Sequence, residues 1–164
     1  MTNITSIQEI KNKLAIKSFD CGNIELNLFF RDYALNNDRN NIGKTFVLTN
    51  DDEIIGYFTL SSAQIIYNEV PNDERLPKYP VPAARIARLA VSKEYQGNGI
   101  GSQLLKEALY KIYQSSKTIA IYCIIVDAKP ESIGFYVKYG FTPLKTNKST
   151  YYLSIKTLID AIDQ

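Results

Sequence analysis

Histidine is absent from all 164 residues. That removes Ser-His-Asp and Cys-His catalysis, histidine-ligated zinc and any proton shuttle built on imidazole. Cysteine is nearly absent too. Cys21 and Cys123 are too few for a thiolate zinc site or a disulfide framework, and they suit a reducing compartment. No metal site is therefore expected. No apolar run approaches the roughly 18–20 residues of a membrane span, and Met1 to Lys17 lacks the apolar core of a signal peptide. A cytoplasmic location with no membrane contact follows as the expectation. A large excess of either charge is missing as well: 19 Lys and Arg face 17 Asp and Glu, a balance that does not by itself announce a nucleic-acid binder. Chemistry in this chain must come from carboxylates, Tyr, Lys, Cys, backbone groups or a bound cosubstrate.

What is present is an ordinary globular composition, 45% apolar and 22% charged, over a length that predicts one domain spanning residues 1–164. Asn23 to about Asn37 reads as a helix capped by Asn23, with Glu25 in its first turn. Lys44–Thr49 and Ile54–Ile66, rich in β-branched and aromatic residues, flank the turn Asn50-Asp51-Asp52 and predict a hairpin. A long loop with prolines at 71, 77, 80 and 82 precedes a strand over Ala84–Val91. Gly99–Ser115 predicts the clearest helix, with Ile100, Leu104, Leu105, Ala108, Leu109 and Ile112 on one face. Thr118–Val126 reads as a strand covered on both faces. A short helix from Pro130 to about Gly140 follows, then strands over Phe141–Leu144 and Thr150–Ile155 and a last helical turn or two over Lys156–Ile162. The order β-rich, then β-α-β-α-β, gives an α/β fold with a mixed sheet flanked by helices.

The most informative segment runs from Arg88 to Gly101. A strand ends near Val91, and Gly97, Gly99 and Gly101 then open a helix. Glycines let successive backbone N–H groups converge on one anion, and the helix adds its unpaired N–H groups and the positive end of its dipole. The reading is a pyrophosphate cradle, against a plain glycine-rich connection. The dinucleotide fingerprint Gly-x-Gly-x-x-Gly fails, because its third glycine falls on Ser102 or Leu104. A Walker loop fails because Gly101-Ser102-Gln103 has no lysine.

Gln96-Gly97-Asn98-Gly99-Ile100-Gly101 resembles the Gln/Arg-x-x-Gly-x-Gly/Ala motif of the GNAT superfamily of acyl-CoA N-acetyltransferases. The later Gly134-Phe-Tyr-Val-Lys-Tyr-Gly-Phe141 matches that family's order as well, and the resemblance covers roughly Lys44 to Ile155. It implies a single GNAT domain with a mixed, mostly antiparallel sheet and acetyl-CoA as cosubstrate. It also implies that Gln96, Gly97, Asn98, Gly99, Ile100 and Gly101 hold the pyrophosphate, while the backbone of Leu89, Ala90 and Val91 takes the pantetheine arm and thioester. Tyr136 then stands where such enzymes carry a tyrosine that protonates the departing sulfur, and Tyr139 reads as the packing residue.

Ser18-Phe-Asp-Cys-Gly22, Arg85-Ile-Ala-Arg-Leu-Ala-Val91 and Val126-Asp-Ala-Lys129 resemble one branch of that superfamily, the toxin acetyltransferases of type II toxin–antitoxin pairs. That likeness implies N-acetylation of the α-amine of aminoacyl-tRNA and a ribbon-helix-helix antitoxin as partner. A homodimer is a further partner state such a chain could take. An α-amine also suits a chain without histidine. Its pKa is about 8, against about 10.4 for a lysine amine, so water or a carboxylate such as Glu94 suffices to deprotonate it. Lys129 and Ser132 depart from the family's usual Asn and Ala. The alternatives are acetylation of a small-molecule or protein amine, and an acyl-CoA-binding regulatory module without turnover. Cys21 reads as buried packing rather than a nucleophile.

Charge is uneven along the chain. Lys129 to Lys156 holds five lysines against Glu131 alone, and Arg75, Lys78, Arg85, Arg88 and Lys93 gather around the Pro-rich loop and the glycine turn. They read either as phosphate contacts and solvated charge or as the wall of an RNA groove. Arg85 and Arg88 are three apart on a strand and point to opposite faces.

Overall fold

The computed structural model describes residues 1–71 and 76–162; Arg75 lies outside them. Seven strands, β1 (Thr2–Ser6), β2 (Lys44–Asn50), β3 (Glu53–Ile65), β4 (Val81–Val91), β5 (Cys123–Asp127), β6 (Thr142–Pro143) and β7 (Thr150–Ser154), take the order β1-β2-β3-β4-β5-β7-β6. The sheet is mixed: β4 and β5 run parallel, and the β1–β2, β2–β3, β5–β7 and β6–β7 pairs are antiparallel. The helices are α1 (Lys13–Ser18), α2 (Ile24–Asp32), α3 (Ala34–Arg39), α4 (Ile100–Ser116), α5 (Ile133–Lys138) and α6 (Ile155–Ile162). The chain divides into two compact units, Met1–Ser61 with Ala87–Ala108, and Ser62–Ile86 with Leu109–Gln164.

The first unit forms around Tyr57, which is fully buried and stacked on Phe30 with centroids 4.4 Å apart. Phe19 meets both rings edge-on, and Ile16, Phe29, Ala34, Val47 and Ala90 complete the cluster. The Tyr57 hydroxyl donates to the Leu26 carbonyl at 2.8 Å, so its one polar group is satisfied. Asn23 caps α2 as expected, accepting from the Leu26 N–H. The helix expected to run to Asn37 is instead broken at Tyr33, whose φ of −124° leaves helical geometry, and resumes as α3 to Arg39. β1 is not expected from the sequence. Its five polar-rich residues lie on the sheet edge, where pairing with β2 rather than apolar alternation defines the strand.

The hairpin turns on Asp51, at a φ of 56°. Gly56 has a packing role. A Cβ there would stand 2.7 Å from Leu104 Cδ1 and 2.9 Å from the Ala90 carbonyl oxygen, so its absence lets β3, β4 and the start of α4 approach closely.

The second unit packs Ile65, Val81, Ala83, Cys123, Ile125 and Tyr152 together. Here the strand expected over Thr118–Val126 is shorter. The N–H groups of Thr118 and Ile119 both bond back to the Ser115 carbonyl to finish α4, and Ile119 is 66% exposed. Those donors are unavailable to a ladder, and pairing begins at Cys123. The short helix after Pro130 opens as a 3₁₀ turn over Pro130–Ser132, continues as α5, and ends before Gly140 at a φ of 93°. Among the described residues no helix is long and apolar enough to cross a membrane.

Candidate acetyl-transfer site

The turn between β4 and α4 is built by side chains that tie it down while leaving its glycines open. Where β4 ends, the Ser92 N–H donates to the Ile55 carbonyl at 2.9 Å and the Lys93 N–H to the Asp20 carbonyl at 2.9 Å. Lys93 also faces the Asp20 carboxylate at 3.4 Å, an exposed pair of small energetic worth. Asp20 accepts from the Gly22 N–H and the Asn27 amide. These hydrogen bonds, with the Lys93 charge a lesser cause, hold its carboxyl below the usual range.

Gln96 is the central brace: its Nε2 donates to the Cys21 carbonyl at 2.8 Å and to the Val91 carbonyl at 3.0 Å. The side chain expected at the pyrophosphate is thus occupied with fixing the turn. Gln96 is exposed, so what it presents outward is shaped by that brace rather than by a free amide.

Beyond Gln96, Gly97 and Gly99 adopt φ values of +83° and +80°, a conformation that L side chains rarely take. A Cβ at either would meet nothing within 4 Å, so the turn's outer side is open space. Gly101 is the second residue of α4, whose first N–H groups have no intrahelical acceptor. Two left-handed glycines, an open approach and a 17-residue helix starting at Ile100 fit a pyrophosphate, which needs close backbone contact and positive potential. Leu89 and Val91 are half-buried and Ala90 is buried against the Tyr57 cluster, so β4 is anchored where it meets the turn.

Tyr136 is set differently. It lies on α5, 7% exposed, edge-on to Phe135 at 5.1 Å and to Phe141 at 5.6 Å. Burial pushes its phenol up to about 12. Among the described residues nothing hydrogen-bonds its hydroxyl. The contrast with Tyr139 runs opposite to the expectation that Tyr139 is the packing residue: Tyr139 is half-buried, touching Phe135 at 5.5 Å, and Tyr136 is the core aromatic. Tyr136 is the one buried residue of α5, a distinction that the spacing of the tyrosines alone did not make.

The other candidates fall into place. Cys21 is buried with its thiol pushed up by desolvation, as befits packing rather than nucleophilic attack, and burial raises Cys123 to about 12. Glu94 is exposed and lines an open cavity with Asp20, Asp51, Asp52 and Glu53. Arg85 is paired with Asp127, which also accepts from the Thr150 hydroxyl at 2.7 Å, so this arginine is not a free phosphate contact. No group of His, Cys, Asp and Glu among the described residues could hold a metal ion.

Comparison with known proteins bears on the family and the fold. Residues 41–143 match the family model described as an acetyltransferase (GNAT) domain. A protein named tRNA-acetylating toxin from Mycobacterium tuberculosis is 31% identical over 144 residues, 86% of each chain. A probable toxin TacT from Sinorhizobium fredii is 28% identical over 86% of this chain and 85% of its own. Among solved structures, AtaT complexed with acetyl-methionyl-tRNAfMet superimposes with a TM-score of 0.89 over the whole of both chains at 24% identity. AtaTR bound with AcCoA gives 0.84 over 98% of each chain at 25% identity. Fold, motif and sequence relatives converge, and the chain belongs to the GNAT acetyltransferase family.

Proposed function

We propose that this protein transfers an acetyl group from acetyl-CoA to the α-amine of aminoacyl-tRNA, blocking that tRNA's use in translation, with residues 1–164 acting as one catalytic domain. The observation that carries the reaction is the open glycine turn, with Gly97 and Gly99 held left-handed at the start of α4. The acceptor rests on the 31% identity to a protein named for acetylating tRNA.

Bound acetyl-CoA would supply the activated thioester and a thiolate leaving group. The backbone from Gln96 to Gly101 holds the pyrophosphate, and the backbone of Leu89, Ala90 and Val91 lines the pantetheine arm. Tyr136 holds its proton at the phenol oxygen throughout the physiological range, as any phenol does, and burial, which raises its pKa to about 12, makes it a weaker acid still. It therefore presents a neutral O–H to charge developing on sulfur. Since a thiol has a pKa of about 8.5, complete transfer is uphill, and hydrogen-bond donation is the larger part of its work. The α-amine needs no strong base: an aminoacyl ester amine, with a pKa of about 8 or below, is substantially neutral at pH 7–8. Self-association, and capture by an antitoxin of the kind found with these relatives, belong to the same reading, as does action in the cytoplasm, where charged tRNA is found.

The test is acetyl transfer from labelled acetyl-CoA to total charged bacterial tRNA, run beside small amines. Acetylated aminoacyl-tRNA, with a KM that rises steeply with salt, is the expected result. Reversing the exposed Lys145 and Lys148 together should raise that KM with acetyl-CoA saturating. Turnover on a small amine with no product on charged tRNA would replace the acceptor and leave the transferase standing.

A further inference from the structure

Arg88 differs from Arg85, the other cation of its strand. It is half-buried on β4, three residues before Val91, and its guanidinium carbon lies 3.6 Å from the centroid of Phe29. Phe29 is itself stacked on Tyr57 with centroids 6.4 Å apart, so the pile Tyr57–Phe29–Arg88 grows out of the core of the first unit. The ring holds the guanidinium by its face, which leaves the donors around its edge uncommitted. Among the described residues no ion pair engages them, although the Glu25 carboxylate lines the same cavity. Arg85 has Asp127, Lys93 has Asp20 and Lys44 has Asp38. A half-buried arginine outside ion-pair distance of any carboxylate carries a desolvation cost that a ligand can relieve.

The surroundings indicate what that ligand is. Arg88 lines a cavity of 420 Å³ with Glu25, Leu28, Phe29, Tyr33 and Asn37. Its wall is formed where α2 breaks into α3, and the residue at the break is Tyr33, 57% exposed with its ring unburied. Leu28 is 39% exposed beside it. A fixed guanidinium edge next to an exposed aromatic face is the pair of contacts a single-stranded nucleotide uses: phosphate on arginine, base on the ring.

We propose that this cavity receives the single-stranded 3′ end of the acceptor RNA, with Arg88 binding a backbone phosphate and Tyr33 stacking a base. The inference rests on the aminoacyl-tRNA reading. It identifies the residues that distinguish an RNA-borne amine from a free one. The break in α2 then has a purpose: a continuous helix would not set Tyr33 at that corner.

The experiment measures initial rates with total charged bacterial tRNA at saturating acetyl-CoA, across a salt series, for the full chain and three variants. Arg88→Ala should raise KM for charged tRNA about 10- to 100-fold, as expected for loss of a hydrogen-bonded ion contact, with kcat changed far less. The slope of log KM against log salt should fall by roughly 0.7, one phosphate contact on a single strand. Arg88→Lys should keep the salt slope and recover only part of the affinity, because a point charge cannot reproduce the planar fork. Tyr33→Ala, at an exposed position that tolerates truncation, should raise KM about 5- to 100-fold with the salt slope unchanged.

Thermal melts and acetyl-CoA titrations accompany each variant. If Arg88→Ala raised the KM for charged tRNA without changing its salt slope, or Tyr33→Ala left KM unmoved, the cavity would not be the RNA end's site. A melting temperature and acetyl-CoA affinity falling together in Arg88→Ala would make Arg88 a packing brace and overturn the proposal. A wild-type protein that leaves charged tRNA untouched would fail the functional reading first, an outcome visible before any variant is made.

Discussion

The glycine turn and the aromatic segment around Tyr136 place their working groups in opposite environments. Gly97 and Gly99 are exposed and have nothing within 4 Å of where a Cβ would stand. Tyr136 is 7% exposed between two phenyl rings. On the proposed reading, the difference follows from what each would handle. An anion with several oxygens is held by backbone N–H groups, which must be bare of side chains and locked in one geometry, and the lock comes from Gln96 behind them. A phenol that is to donate to charge developing nearby is neutral at pH 7 in any case, and desolvation makes it a weaker acid still. Exposure would supply access in one place, and burial a desolvated O–H donor in the other.

The strongest way to break the contrast is Tyr136→Phe. The ring keeps its packing against Phe135 and Phe141, so folding and acetyl-CoA affinity should hold. The loss of the O–H should lower kcat by roughly 10²- to 10⁴-fold. Normal turnover would make Tyr136 a core residue only. In cells, growth arrest by the wild type should disappear in this variant.

Next in size is Gly99→Val. A β-branched residue at a φ of +80° is strained whatever the space around it, and its methyls would stand on the open side where the pyrophosphate approaches. Calorimetry should show acetyl-CoA affinity reduced by about 100-fold, worth about 2.7 kcal/mol, in a protein that still folds. Unchanged affinity would remove the turn from the cosubstrate site.

A smaller effect is expected at the brace. Gln96→Ala leaves the Cys21 and Val91 carbonyls without their shared donor and loosens the turn without touching its glycines. Stability should fall by about 1–2 kcal/mol in urea titration, and acetyl-CoA affinity about 10-fold or less, because only preorganisation is lost. If Gln96→Glu, which cannot donate at neutral pH, matched wild type in both, the brace would be idle.

The parts differ in how far the sequence revealed them, whatever the size of their expected effects. The glycine spacing announced the turn because positive φ is written in residue type: few residues other than glycine serve at +83° and +80°. The hairpin at Asn50–Asp52, the Asn23 cap and α4 were legible for the same reason, a local chemical requirement with a local signature. The unread features depend on partners distant in sequence. Gln96 became a brace only when the chain brought the Cys21 carbonyl to it, 75 residues away. Gly56 is an unremarked glycine inside a strand until Leu104 packs on it. Thr118–Tyr122 has the composition of a strand, but α4 consumes its first donors. Tyr136 and Tyr139 are alike as letters; only the tertiary core made one buried and one half-exposed.

The least of the expected effects tests the burial side of the contrast directly, through pH. Tyr136 has a folded pKa of about 12 against an ordinary value of 10.0. Because the folded value is the raised one, the stabilising contribution is complete below pH 10 and is lost as pH climbs from 10 towards 12, where the unfolded chain ionises and the folded one does not yet. Tyr57 and Cys123 are raised by burial too and act in the same direction, but they are common to wild type and Tyr136→Phe and cancel in a comparison of the two. The stability difference between wild type and Tyr136→Phe, measured by urea unfolding, should therefore be constant from pH 7 to 9. Wild type should then lose about 1 kcal/mol relative to the variant by pH 11, since one pH unit across that window is worth about 1.4 kcal/mol when only the unfolded state titrates. A difference that stays flat through pH 11 would mean that the phenol is hydrated in the folded protein, and that Tyr136 and the glycine turn are both exposed sites after all.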